Sequence, residues 1–389
     1  MTTTVRSGAP TAARRAWVLK AGSVRSMRLK EKCQLPRPGF GEVLVQVKAI
    51  GLNFADVFSV LGLYSATPSG EFTPGLKFSG VVGAIGTDPG LETSVEFASV
   101  EARRRAEKVA GNFRVGDRVS GVMRFGAYST EVLAPAHQLR KIPAEWTFEQ
   151  GAAFNVQALT SYYGLKALGD VKPGQTVLVH SAAGGCGLLA LGILKAIGAK
   201  AVGTVGTKTK VDVILNRFPD YIKREQIIVR DRKRFPAQLR ESLDFLESEG
   251  FDVVLDAVGG DFFRPGFDSL SPGGRHIIYG AADLTPQADR IWSIFNPLVG
   301  LRLAYKYLTR PKVDPLQLPA DNKSVMGFNL IWMFSHVNVL LDLLEALYAM
   351  DLDPPLVGQV FDFEDAPKAI RLFQSGVTTG KVVLKIDHE

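Results

Sequence analysis

The sequence predicts an α/β protein in two regions, a strand-rich first region and then a doubly wound parallel sheet. Between Arg15 and Lys141, short alternating runs are punctuated by Gly and Pro, as in Glu42-Val-Leu-Val-Gln-Val-Lys48 and Tyr128-Ser-Thr-Glu-Val-Leu133. That alternation is the period of strands with one buried face. From Phe148 to about Asn329, strand-like and helix-like stretches alternate, which implies right-handed crossovers in a parallel sheet. Third, Val177-Leu-Val-His-Ser-Ala-Ala-Gly-Gly-Cys-Gly187 runs directly into Leu188-Leu-Ala-Leu-Gly-Ile-Leu-Lys-Ala-Ile197. This is the strand, small-residue turn and helix of a Rossmann unit.

Each element carries its own signal. Sheet strands are expected at 176–180, 201–205, 226–229, 252–256, 275–280 and 324–328, with Pro173-Gly174 and Pro272-Gly-Gly274 turning the chain into two of them. Val339 to Met350 is patterned as an amphipathic helix, and Gly380-Lys-Val-Val-Leu-Lys-Ile386 reads as a last strand that rejoins the first region. The expected domains are therefore 15–147, completed by 339–389, and 148–338. Residues 88–112 interrupt the first domain, and their middle, 94–110, predicts a charged helix in a surface insertion, with an oligomer or partner contact as the alternative.

The turn also carries chemistry. Ala182-x-Gly184-x-x-Gly187 follows the dinucleotide fingerprint, so the backbone of Ala183, Gly184, Gly185, Cys186 and Gly187 is expected to hold a pyrophosphate at a helix start. An NAD site places an acid about twenty residues on, against the ribose hydroxyl. Here Ala201-Val-Gly-Thr-Val205 runs into Gly206-Thr-Lys-Thr-Lys210 instead. With no acid there, Lys208 or Lys210 would attract a 2′-phosphate, and NADPH is the expected cofactor. Cys186 at a helix start could have a lowered thiol pKa, although a small apolar filler is the simpler reading.

Composition bounds the rest. A chain of 389 residues, 46% hydrophobic and 22% charged, suits two domains with sizeable cores. The net charge of +7 collects partly in Arg103-Arg-Arg105, Lys223-Arg224 and 230–235. No nucleic-acid motif accompanies these runs, so no nucleic-acid partner is expected. Two cysteines, Cys33 and Cys186, point to a reducing compartment, and no apolar run is long enough to span a membrane. Met1 to Pro10 is acid-free and rich in hydroxyls, as transit peptides are, but a strand-like run already begins at Ala16. A cytoplasmic location is the expectation. The apolar stretch Ile291 to Leu308, with Ile331-Trp-Met-Phe334, reads as a lid over a lipophilic substrate or a homodimer surface. Peripheral membrane contact through 291–310 is the alternative.

Many short motifs recur in order: Gly51-Leu-Asn-Phe-Ala-Asp-Val57, Gly62-Leu-Tyr64, Thr73-Pro-Gly75, Gly80-Val-Val-Gly83, Gly116-Asp-Arg-Val119, the fingerprint, Gly203-Thr-Val-Gly-Thr207, Asp256-Ala-Val-Gly-Gly260 and Gly380-Lys-Val-Val-Leu384. Together they resemble the zinc-independent quinone oxidoreductase branch of the medium-chain dehydrogenase/reductase superfamily. Tyr279-Gly-Ala-Ala-Asp-Leu284 and Asn322-Lys-Ser-Val-Met-Gly-Phe-Asn-Leu330 are most similar to its vesicle amine transport protein homologue (synaptic vesicle membrane protein) group. The insertion at 88–112 and the basic stretch at 223–235 depart from that pattern.

The resemblance implies a GroES-like β-rich catalytic domain beside the Rossmann domain. It places Asn53 where a catalytic zinc would have its first Cys, and the five histidines show no ligand spacing, so no metal is expected. Without a Lewis acid, a quinone or α,β-unsaturated carbonyl is the substrate class that accepts a hydride directly. Asn53 would then orient the nicotinamide or a substrate oxygen, and Tyr64 would donate a hydrogen bond or a proton. Thr160 is expected near the nicotinamide, and Gly206 and Thr207 near the ribose. Val258, Gly259, Tyr279, Gly280 and Ala281 are expected at strand ends where ligands sit. Phe328 and Asn329 resemble the last lining loop, with Lys381 beside them. Arg230 stands where a Tyr near the adenosine ribose is usual, and its guanidinium could meet the 2′-phosphate. A weakly catalytic or non-catalytic NADPH-binding protein, working at a membrane surface or in a complex, is the alternative reading. A carrier-dependent enoyl reductase is the third.

Overall fold

The computed structural model describes residues 13–87, 99–284, 305 and 308–387. The strand-rich region supplies β1 (Arg15–Lys20), β2 (Arg28–Glu31), β3 (Glu42–Gly51), β4 (Glu71–Phe72), β5 (Lys77–Ile85), β6 (Arg118–Val122), β7 (Glu131–Pro135) and β8 (Leu139–Lys141). The alternating region supplies β9 (Thr176–Val179), β10 (Lys200–Val205), β11 (Ile227–Val229), β12 (Phe251–Asp256), β13 (Leu270–Ile278) and β14 (Ser324–Gly327). The chain ends with β15 (Val357–Asp362) and β16 (Lys381–Lys385).

β9 to β14 form one sheet in the order β11-β10-β9-β12-β13-β14, parallel at every pairing. The central strands are apolar without alternation, as burial on both faces demands: Val177, Leu178 and Val179 are all inaccessible to solvent. The six expected strands are present, but β13 begins at Leu270 rather than beyond the Pro272-Gly-Gly274 turn. Leu270 pairs with Phe251, and the register then shifts before Arg275 meets Val253, so the turn lies inside an irregular strand.

The first region forms a larger sheet in the order β15-β16-β3-β5-β6-β8, with β7 also on β3. β16 pairs antiparallel with β3, so the end of the chain completes this sheet. On β3, Val43, Val45 and Val47 face its core with Phe78, Val119 and Leu384. β1 lies between β2 and β4 in a small antiparallel sheet.

The helices that frame the two sheets are α1 (Phe54–Leu61), α2 (Val100–Ala110), α3 (Phe148–Tyr162), α4 (Gly185–Ile197), α5 (Thr209–Arg217), α6 (Phe235–Phe245) and α7 (Phe263–Asp268). α3 opens on a capping box, Thr147 with Gln150. It packs against β3, β5 and β6 on one side and against α4 on the other, forming the wall between the two sheets.

α2 is the described part of the insertion. Its surface is charged as expected, and its small face (Ala102, Ala106, Ala110) is buried, with Ala102 clustered on Val337 and Leu341 of the helix Val337–Tyr348. Residues 88–98, Met1 to Pro10 and nearly all of 291–310 lie outside the described residues. Among the described residues, no helix is long and apolar enough to cross a membrane.

Candidate active site

A cavity of about 1060 Å³ opens along the carboxyl edge of the parallel sheet and extends to the first residues after β3. At its centre is the turn from β9 to α4. Gly184 is the N-cap of α4 and offers no side-chain cap, and the first turn holds no acid. The N–H groups and dipole of that turn are therefore left for an anion. A Cβ on Gly187 would sit 2.4 Å from the Ser181 carbonyl oxygen, so only glycine lets the helix start this close to the turn. Ala183, Gly184, Gly185, Cys186 and Gly187 all line the cavity. Burial pushes the Cys186 thiol up, and its hydrogen-bond partner is Tyr279. This is the inert filler and not an activated thiolate.

One end of the cavity is cationic. Gly206, Thr207, Lys210 and Arg230 line it, whereas Lys208, the N-cap of α5, does not. Lys210 Nζ donates to the Gly376 carbonyl at 2.8 Å, across the two domains. Burial, and then the charge of Arg230, pushes Lys210 down from the usual lysine range. Val258, Tyr279, Gly280, Ala281, Phe328 and Asn329 line the cavity at successive strand ends, and Thr160 faces it from α3. Gly259 does not line it: its N–H is turned inward to Asp256 Oδ1 at 2.9 Å, beside that of Val258 at 2.7 Å. Asp256 needs those donors because it is fully buried, which raises a carboxyl. The imidazoles of His180 and His276 and the Gly259 N–H outweigh burial and hold it below the usual range.

The other end is apolar, with Phe54, Phe58, Leu63, Ile331 and Phe334 around Tyr64. The Tyr64 hydroxyl donates to Asn329 Oδ1 at 2.8 Å, from the loop after α1 to the loop after β14. Burial raises it to about 12, so it stays protonated. Asn53 also lines the cavity but is only 4% exposed, and its amide is committed inward. Its Oδ1 accepts from Gln157 Nε2 at 2.5 Å, and its Nδ2 donates to Asp56 Oδ2 at 3.3 Å. Asn53 is thus a fixed wall that caps α1 rather than a free donor.

Behind that wall lies a group that sequence reasoning missed. Lys77 donates to Gln157 Oε1, Lys381 donates to the Leu52 carbonyl, and the two amines hydrogen-bond each other. Burial, then the Lys381 charge, drives Lys77 well below the lysine range, and burial brings Lys381 to about 8. Burial raises Asp56 to about 6. At neutral pH Lys381 is therefore an ammonium and Asp56 a carboxylate, while burial and the Lys381 charge push Lys77 toward its neutral form. The signal for Asp56 was present in Asn53-x-x-Asp56, a helix-start pattern. Gln157 had no such signal. Lys381 lines the cavity as expected, its stem passing where a Cβ on Gly185 would lie. Among the described residues, no three His, Cys, Asp or Glu side chains gather as metal ligands.

Two family models match this chain: an alcohol dehydrogenase GroES-like domain over residues 39–144 and a zinc-binding dehydrogenase over residues 226–384. The synaptic vesicle membrane protein VAT-1 homolog of Mus musculus is 30% identical over 352 residues, covering 90% of this chain and 77% of that one. Among solved structures, mycobacterial Rv1454c complexed with NADPH has a TM-score of 0.73 at 26% identity, over 96% of this chain and all of that one. The quinone oxidoreductase of Thermus thermophilus, also solved as its NADPH complex, has a TM-score of 0.68 at 25% identity, over 95% and 99%. The likeness runs along nearly the whole length in both sequence and fold: the chain belongs to the medium-chain dehydrogenase/reductase superfamily, with the VAT-1 homologues and quinone oxidoreductases.

Proposed function

We propose that this oxidoreductase uses NADPH to reduce a lipophilic quinone or α,β-unsaturated carbonyl. The observation that carries the reading is one continuous cavity with three chemically distinct regions: the uncapped start of α4, the cationic pair Lys210 and Arg230, and the apolar end around Tyr64. The residues fit the cofactor, because Gly187 permits the close backbone approach and the Gly206–Lys210 segment itself contains no acid. Relatives solved with NADPH support the same choice.

When bound, the cofactor supplies the hydride. The chain's own residues do the rest. Gly185, Cys186 and Gly187 present the helix start to the pyrophosphate, while Lys210 and Arg230 offer charge-assisted bonds to a 2′-phosphate. Phe54, Phe58 and Phe334 exclude water and hold an apolar ring. Tyr64, protonated up to about pH 12, gives its one proton to Asn329 Oδ1 here and would turn that proton from Asn329 to the oxygen on which negative charge develops. Asn53, locked by Gln157 and Asp56, would offer the nicotinamide a rigid wall.

The test is NADPH oxidation against a panel of quinones and enones, with fluorescence titration of both nucleotides on the same sample. Turnover of one class with NADPH, and much poorer turnover with NADH, is expected. A preference for NADH would overturn the cofactor reading. Tight NADPH binding with no turnover across the panel would favour the non-catalytic alternative.

A further inference from the structure

Arg230 is held more firmly than a surface arginine in a basic run. Its backbone N–H donates to the Val205 carbonyl at 3.0 Å, tying the end of β11 to the end of β10. Its guanidinium carbon sits 5.3 Å from the centre of the Phe262 ring. Its Nη1 donates to Thr204 Oγ1 at 2.9 Å and leans on the Thr204 carbonyl at 3.4 Å. The other terminal nitrogen, Nη2, lies on the cavity side, 3.5 Å from where a Cβ on Gly206 would stand.

Thr204 is wholly buried, and its Oγ1 is 3.1 Å from Nδ1 of the equally buried His180. Oγ1 accepts from Arg230 and also meets His180 Nδ1, so the hydroxyl is held between the two side chains. Burial brings His180 down to about 4, so its ring is neutral. Its Nε2 and His276 Nδ1 find no hydrogen-bond partner among the described residues. His276 is accounted for by its contact with the buried Asp256 at 3.0 Å, and what Thr204 and His180 add is the contact that holds Arg230.

We infer that Thr204, its hydroxyl oriented by His180, is a positioning residue that presents Arg230 to a 2′-phosphate and so sets the preference for a 2′-phosphorylated nucleotide; the inference rests on the NADPH reading. A guanidinium fixed through Nη1 and stacked on Phe262 keeps its remaining N–H edge ready for two parallel bonds to phosphate oxygens. Without the hydroxyl the charge stays but the aim is lost.

The test uses Thr204→Val, equal in shape and lacking the hydroxyl, with Thr204→Ser as the variant that retains it. Binding of adenosine 2′,5′-bisphosphate and of AMP is titrated on each whole protein. The valine variant should bind the bisphosphate roughly tenfold more weakly, as loss of one charge-assisted bond implies, and AMP equally well. The serine variant should match the wild type. In turnover, KM for NADPH should rise while kcat holds. Equal bisphosphate binding by the valine variant and the wild type, or a matching loss for AMP, overturns the inference. A wild type that does not distinguish the two ligands overturns the NADPH reading and this inference with it. Should the valine variant not fold, Thr204→Ala carries the same comparison.

Discussion

A hydroxyl that keeps its proton to about pH 12 suits a donor, and Tyr64 is such a group where the apolar end meets the strand ends. Tyr64→Phe should lower kcat by about tenfold to a hundredfold while NADPH affinity stays the same, read by single-turnover kinetics beside a binding titration. A matching loss of affinity would reassign Tyr64 to holding the nucleotide. The lysines behind Asn53 make a different prediction. Lys77 and Lys381 are both depressed below 10.5, Lys381 to about 8, so around pH 8 to 10 the unfolded chain binds more protons than the folded one. Stability from these groups is therefore fully present above the unfolded value and lost as pH falls through the folded one. The thermal midpoint of the wild type should rise between pH 8 and 10 relative to that of Lys77→Met, and parallel curves would refute this. Lys77 was not legible in the sequence, because a lysine in a strand reads as solvent-facing unless its buried partners are known. Lys381 and Tyr64 were legible through their motifs. Asn53 was found as a site residue, yet local sequence could not show that Gln157, far along the chain on α3, would occupy its oxygen.

Elements were the most legible scale, because apolar period and glycine placement are local properties. The strand–turn–helix at β9 and α4 follows from small residues alone, and its consequence is sharp. Gly187→Ala should cost about 1–3 kcal/mol in urea unfolding and also weaken nucleotide binding, because the added carbon would meet the Ser181 carbonyl at 2.4 Å. Unchanged binding would remove the turn from the site. On α2 two substitutions separate charge from packing. Arg105 pairs with Asp342 at 2.5 Å, but Asp342 is 67% exposed, so Arg105→Ala should cost less than about 1 kcal/mol. Ala106 is fully buried, and Ala106→Asp should cost several-fold more by the same measurement. The helical pattern of 94–110 showed that a charged helix would form. It could not show that Ala102 would face Val337 and Leu341, since a pattern reveals a buried face without naming what covers it.

At the scale of the whole molecule, α3 and the cavity join what the sequence reads as consecutive regions. Hydrogen bonds cross between them around the cavity, among them Tyr64 to Asn329 at 2.8 Å, Lys210 to Gly376 at 2.8 Å, and the Gly380 N–H to the Ala183 carbonyl at 3.0 Å. A nucleotide bound in this seam should stabilise both regions together. NADPH at a hundredfold excess over its Kd is expected to add about 2.7 kcal/mol, seen as one cooperative transition at higher temperature. Two transitions, with only the later one moved, would show that the regions unfold independently. Such long-range ties were not legible, because nothing near Gly380 in the sequence points to residue 183.

The bond from Gly380 to Ala183 bears on how the protein can be dissected and recombined. The back of the phosphate turn is closed by β16, and the Lys381 stem fills the space beneath Gly185. A fragment cut at 148 and 338 would leave that turn without its floor, and a nucleotide half grafted onto a foreign partner would inherit the fingerprint but not the surface that shapes it. Gly376, Val377, Thr378, Gly380 and Lys381 line the same cavity as Ala183 to Gly187, so a functional chimera has to carry both.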